Sequence, residues 1–282
     1  MNASTVSKIQ QGNVDIIRVE NAFASLELSL FGGQVLSFSP RHDNRNRLWL
    51  SEKAIFDGIT PIRGGIPICW PWFGAGPDKL ISQFGKLPAH GFVRTCTWDI
   101  EQISDNESAT VITLTPNIDY STQVISALRV RLHITLSQTL TVALETTNVG
   151  KQSEFTAALH SYFAVNNIAA VEIQHITSPY WDKLSGQDTL PAPTPYVIDA
   201  ETDRIHTEAV PQVLISALGD KTEITSEGHD SIVVWNPWKD KSHSMKDMTD
   251  DSYETMLCIE TARTQHSAIA AGATHWLKQT IR

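Results

Sequence analysis

His160 and Glu260 are the residues of this sequence best placed to move protons. His160 lies in LHSYFAV, Leu159 to Val165, at the end of a segment whose alternation sends Phe155, Ala157 and Leu159 to one face. The imidazole then falls on the opposite face, which places it on a concave sheet surface. Glu260 closes the apolar run MLCIE, Met256 to Glu260, where a carboxylate costs free energy unless it is paired or opens into a pocket. Ordinary values of about 6.5 and about 4.3 make a protonated imidazole beside an ionised carboxylate accessible near neutrality, with little tuning required. Each residue alone has a plain reading, a surface histidine and a solvated strand-end glutamate. Together they form an acid and a base.

The segment RGGIPICWPWFG, Arg63 to Gly74, followed by AHGFVR, Ala89 to Arg94, supplies a setting for that pair. Loops rich in Gly, Pro and Trp fill a β-core poorly but form a rigid floor on which a small polar ring can stack. Arg63, His90 and Arg94 stand around this floor, and a hydrophobic core would need none of them. Such a floor suggests a sugar site, and guanidinium forks, which suit phosphate oxygens, leave open a small anionic substrate. The competing reading pairs one arginine with an internal acid to hold the loop. For Trp70, Trp72, Trp235 and Trp238, core packing accounts for the residues at least as well as stacking on sugar.

Pattern argues against other chemistries. No HExxH, paired Cys/His cluster or EF-hand loop occurs, so no metal is expected. GxxxxGK[ST] and GxGxxG are both missing, and no cofactor is expected. No GxSxG elbow marks a nucleophilic triad. Cys69, Cys96 and Cys258 are odd in number and widely spaced, as reduced structural thiols would be. A formal net charge of −9 without a basic block makes nucleic acid an unexpected partner. No apolar run approaches the ~18 residues of a membrane span, and the first residues lack a secretory h-region. The expectation is a cytosolic monomer that does not contact membranes.

The elements that must position these residues read as strands. Leu26, Leu28 and Leu30 alternate with Ser25, Glu27 and Ser29, and Val130, Leu132, Ile134 and Leu136 alternate with Arg129, Arg131, His133 and Thr135. Val142, Leu144 and Thr146 continue the pattern after a short turn, as in an antiparallel meander. Further strands are expected at 14–19, 93–103, 110–115, 154–160, 231–235, 256–260 and 274–281. Helical stretches are scarce, and many short strands with turns between them argue for a large sandwich. The longest irregular segments, 51–88 and 236–253, are the functional loops. No linker composition divides the 282 residues, so a single domain over 1–282 is expected.

RGGIPICWPWFG, HGFVR, LHSYFAV, the ETD of Glu201 to Asp203, the VVWNPW of Val233 to Trp238 and the CIE of Cys258 to Glu260 occur in family order. With them the chain resembles the hexose-6-phosphate mutarotases, glucose-6-phosphate 1-epimerases of the galactose mutarotase-like, or aldose 1-epimerase, superfamily. The resemblance implies an all-β fold, a large antiparallel β-supersandwich. It also implies interconversion of α and β anomers of a hexose 6-phosphate, with His160 as catalytic acid and Glu260 as catalytic base. Arg63, Arg94 and Asp203 then match positions that bind the hexose phosphate, and His90 one that contacts the ring. The chain departs from the pattern at Ala89, where a glutamine is common, and after Glu260, where Glu-Thr-Ala-Arg replaces a proline-containing turn. Arg263 is accordingly read as solvated or as an added cation near substrate. The alternatives are a noncatalytic carbohydrate-binding or regulatory sandwich, or an aldose 1-epimerase acting on unphosphorylated sugar.

Overall fold

The computed structural model describes residues 4–121 and 125–282. Every strand pairing among them is antiparallel, in three sheets. The first sheet holds Thr5–Gln11, Val14–Glu20, Ala24–Ser29 and Gln34–Pro40 in chain order. An eight-stranded sheet runs in the order Val171–Gln174, Gln212–Ala217, Asp220–Glu227, Thr274–Ile281, Leu140–Asn148, Leu128–Leu136, Thr110–Pro116, Trp98–Asp105. The third is seven-stranded, with the order Tyr180–Asp182, Thr202–His206, Ser231–Asn236, Met256–Ile269, Ser153–Leu159, Ile68–Cys69, and with Tyr162–Ala164 also pairing with Met256–Ile269.

The period-two signal works as physics requires. Leu132 faces Leu144 and Ile134 faces Val142 across one ladder, all buried, while Arg129 and Arg131 point away from the core. The main core gathers residues from all three sheets, among them Val19 and Leu26, Leu132 and Leu144, and Leu159, Ile232 and Ile259. Among the described residues helix is limited to Asp78–Phe84 and Trp238–Ser244 plus short 3-10 turns, and both helices fall in the long segments expected to be irregular.

Three expectations are corrected. The segment 93–103 opens with a 3-10 turn, Val93–Thr95, because the Thr95 N–H and hydroxyl both donate to the Phe92 carbonyl; the strand begins only at Trp98. The strand expected to end at Glu260 continues to Ile269, its ladder with Ser153–Leu159 extending well past the carboxylate. The strand expected over 154–160 stops at Leu159, where the His160 N–H turns to the Pro67 carbonyl.

Between the two large sheets lies a buried polar clamp. Gln279 reaches from Thr274–Ile281 and accepts a hydrogen bond from the Ser161 hydroxyl at 2.5 Å. Its amide donates to the Ile259 carbonyl at 3.2 Å and to Thr261 Oγ1 at 2.8 Å, and Thr261 also meets the Ser226 hydroxyl at 2.7 Å. All these side chains are buried. Gln279→Leu takes one partner each from the Ser161 and Thr261 hydroxyls and the Ile259 carbonyl inside the core, so a loss of about 2–4 kcal/mol in chemical denaturation is expected. Adding Ser161→Ala and Thr261→Val to that variant should recover part of the loss, since removing every partner costs less than orphaning one.

Candidate active site

The strand Met256–Ile269 alternates across its sheet. Leu257, Ile259 and Thr261 turn to the buried interior between the sheets, and Cys258, Glu260 and Ala262 turn to the other face. Glu260 therefore sits mid-strand, opposite Val233 in the neighbouring ladder. His160 lies just beyond the strand Ser153–Leu159; the expected inward parity of Phe155, Ala157 and Leu159 holds, and all three join the main core. His160 Nε2 stands 3.3 Å from Glu260 Oε1, with side chains 13% and 2% exposed. The imidazole stacks on Tyr162 at 5.0 Å between ring centres and meets Trp235 and His90 edge-on at 6.1 and 5.8 Å.

The loop carrying His90 is clipped to the floor by its backbone. His90 N–H donates to the Gly74 carbonyl, its own carbonyl accepts from Trp70 N–H, and Phe92 N–H donates to the Trp70 carbonyl. Gly91 has φ +77°, and a Cβ there would collide with the Trp70 carbonyl, so glycine is required. His90 Nδ1 accepts from Gly74 N–H at 3.2 Å and lies 3.4 Å from Cys69 Sγ. Burial, with the charges of Arg94, Lys183 and Arg63, pushes His90 down to about 3. It is a neutral imidazole whose Nδ1 accepts, leaving Nε2 to donate.

The two arginines differ in kind. Arg63 Nε pairs with Asp247 Oδ2 at 3.0 Å and Nη1 donates to the Tyr162 hydroxyl at 2.9 Å, so the internal-pairing reading applies to it. Arg94, raised by the 3-10 turn, makes no side-chain hydrogen bond or ion pair among the described residues. Its charge nonetheless acts on His90, His160 and Glu260. Asp203 lies opposite Trp235 in the ladder and pairs with Lys183 Nζ at 3.0 Å, while the Lys183 ammonium lies 5.8 Å from the Phe73 ring centre.

The structure thus brings His160, Glu260, Arg63, His90, Arg94 and Asp203 within contact or electrostatic reach of one another. Sequence reasoning missed Lys183, Tyr162, Asp247 and Phe73. Tyr162 and Phe73 lie inside segments already singled out, LHSYFAV and RGGIPICWPWFG, and could have been found there. Lys183 and Asp247 carry no local signal. Trp70 and Trp72 are core residues, as one reading held, whereas Trp235 lines the site beside His160. Neither reading of Arg263 holds. It is buried, bonds to the Phe155 carbonyl and to Ser267, and lies over the Phe155 ring, because its position in the strand points it away from the Glu260 face.

The expectation of a site needing little tuning is also corrected. Burial, reinforced by Asp203, pushes Glu260 well above the ordinary carboxylate value, against Lys183 and Arg94. Burial, reinforced by His90, Arg94 and Arg63, pushes His160 well below the ordinary imidazole value. Both directions favour the uncharged tautomer, neutral His160 beside protonated Glu260. Glu260 Oε2 and His160 Nδ1 are buried without hydrogen-bond partners. Cys258 joins them on the same face, and one potential ligand atom each from His160, Cys258 and Glu260 lie within 4.8 Å of one another.

The chain and its sandwich of antiparallel sheets have known counterparts. The sequence profile of the aldose 1-epimerase family matches residues 15–282, and the chain belongs to that family. It is 31% identical over 264 residues to a protein of Escherichia coli K12 named "Putative glucose-6-phosphate 1-epimerase", a match covering 91% of this chain and 86% of that one. The crystal structure of a protein titled "putative mutarotase (YeaD)" from Salmonella typhimurium superposes with a TM-score of 0.87 at 28% identity, covering 98% and 92% of the two chains. Galactose 1-epimerase from Lactobacillus acidophilus shares the fold, with a TM-score of 0.66 at 13% identity over 99% and 98% of the chains.

Glu260→Gln tests the electrostatics of the site. A folded value above the unfolded one means the carboxyl opposes folding once pH rises past about 4.5, and increasingly until pH passes the folded value. The variant should therefore melt above wild type at pH 7 by several degrees, at ~2–4 °C per kcal/mol for a chain of this size. The gap should close as pH is lowered toward 4.5, as followed by scanning calorimetry.

Proposed function

We propose that this protein interconverts the α and β anomers of a hexose 6-phosphate, with D-glucose 6-phosphate the best match, His160 acting as acid and Glu260 as base. The observation that carries the reading is the 3.3 Å imidazole–carboxylate contact within the field of Arg94, which makes no ion pair among the described residues. The names of the relatives described above, a glucose-6-phosphate 1-epimerase and a mutarotase, support the reaction class. Glu260 takes the proton of the C1 hydroxyl while His160 delivers one to the ring oxygen. The C1–O5 bond breaks with its electron pair going to O5, and C1 becomes an aldehyde. Rotation about C1–C2 presents the opposite carbonyl face, and the same transfers run backward to close the ring. The proton count balances within the pair, and no redox change is needed.

In this assignment Arg94 holds the phosphate, because its guanidinium is unengaged among the described residues, and Arg63 shapes the wall while offering its remaining N–H donors. His90 donates to a sugar oxygen, and Asp203 accepts from a hydroxyl while steering Lys183. The chain acts as one domain over 1–282, a reading supported by a main core drawn from all three sheets. A cytosolic location fits its three unpaired cysteines, and among the described residues no helix is long and apolar enough to cross a membrane.

Saturation-transfer NMR between the anomers of glucose 6-phosphate tests the reaction. His160→Gln and Glu260→Gln should each lower the exchange rate by roughly 10²- to 10⁴-fold. Retained exchange in both variants would remove the acid–base assignment, and no exchange in the wild type would favour a binding domain. Specificity is read by comparing glucose 6-phosphate with glucose. Arg94→Ala should raise KM for the phosphate ester by roughly tenfold or more, a loss of at least ~1.4 kcal/mol, and leave the glucose rate nearly unchanged. Arg63→Ala should instead impair both sugars by loosening Tyr162 and Asp247.

A further inference from the structure

We propose that His160, Cys258 and Glu260 form a binding site for a soft divalent cation, best matched by Zn²⁺, and that its occupation shuts the sugar site. The three residues bring an imidazole nitrogen, a thiol sulfur and a carboxylate oxygen within 4.8 Å of one another. The imidazole–carboxylate separation is already 3.3 Å, about the N···O edge of a tetrahedron with bonds of ~2.0–2.2 Å to zinc. Cys258 lies two residues before Glu260 on the same strand, so alternation turns its sulfur to the same face. Tyr162 and Trp235 flank it in the two neighbouring ladders.

A second observation points to the same place. Glu260 Oε2 and His160 Nδ1 are buried with no hydrogen-bond partner, a condition that a bound cation would relieve for the carboxylate. Burial, reinforced by the acidic side chains of Glu260 and Asp203 and opposed by Arg63, holds the Cys258 thiol protonated until a cation replaces the proton. Of the cations nearby, Arg63 and Lys183 are paired with Asp247 and Asp203, so Arg94 is the unpaired opponent among the described residues. Imidazole with thiolate selects a soft or borderline ion over Mg²⁺ or Ca²⁺. Binding forms metal–N, metal–S and metal–O bonds and releases the thiol proton and the carboxyl proton to solvent, leaving the fourth position open to water. No redox step is involved.

The inhibitory consequence rests on the acid–base reading of His160 and Glu260; the binding does not. Co²⁺ therefore serves as the first probe, titrated into chelator-treated full-length protein. One equivalent should produce the near-ultraviolet thiolate-to-cobalt charge-transfer band and the visible bands of a tetrahedral site, both displaced by Zn²⁺. Cys258→Ala should lose the charge-transfer band, whereas Cys96→Ala, a variant of a cysteine outside the cluster, should keep it. Absence of the band in wild type, or its persistence in Cys258→Ala, overturns the site. In the NMR assay Zn²⁺ should stop anomer exchange, EDTA should restore it, and Mg²⁺ should have no effect. Cys258→Ala should need about tenfold more Zn²⁺ or greater for the same fractional inhibition. A cobalt band with no exchange in metal-free wild type upholds the site and removes the catalytic reading. A cobalt band with exchange unaffected by Zn²⁺ overturns the proposed closure of the sugar site.

Discussion

A carboxyl group in the middle of a paired, buried strand is the constraint around which the rest of the molecule is arranged. The Glu260 side chain is 2% exposed, and an ion held there without partners would be expensive. The neighbours divide the task. His160 approaches to 3.3 Å, and Lys183 and Arg94 favour the anion through their fields. Asp203 opposes them, and it also pairs with Lys183, whose ammonium lies 5.8 Å from the Phe73 ring centre. The result is a carboxyl poised by competing charges, unlike one locked in a salt bridge.

Holding two reactive groups at a fixed separation requires stiffness behind them. Ser161 follows His160 and Thr261 follows Glu260, and both hydroxyls turn to the opposite face and meet Gln279. The Ile259 N–H also donates to the Ser161 carbonyl at 3.3 Å. The segment bearing the imidazole has left regular strand pairing, so its position is set by these bonds and by His160 N–H on Pro67. A leucine at 279 would leave the reactive segments without a common anchor and their polar groups short of partners. The buried glutamine thus holds two strands and a break in register through a satisfied network.

How much of this was legible in the sequence follows from which forces act locally. Alternation between apolar and polar residues is local, so strands such as Thr274–Ile281 were placed correctly. The same alternation put Phe155, Ala157 and Leu159 inside and His160 on the other face. Strand ends depend on partners distant in sequence, which is why Met256–Ile269 was cut short at its carboxylate and Arg263 was misplaced. The short strands Tyr180–Asp182 and Thr202–His206 owe their existence to edge pairing, and Lys183, at the end of the first, stayed invisible with them. Charge state was the least legible feature. Ordinary values described an imidazolium and a carboxylate, whereas burial of both groups reverses the preference.

That reversal bears directly on the proposed reaction. An imidazolium facing a carboxylate and a neutral imidazole facing a carboxylic acid contain the same single proton, and the 3.3 Å contact lets one form become the other. Ring opening by the proposed route starts from the charged form and ends in the uncharged one, since the base gains a proton from O1 and the acid gives one to O5. Burial raises the energy of the first relative to the second. The protein environment therefore favours the step that breaks the ring, and closure of the ring, by reversing both transfers, restores the imidazolium and the carboxylate. Interconversion of two anomers of nearly equal energy has no large driving force of its own. A site in which burial favours opening, and in which closing returns each proton to its donor, keeps both directions passable.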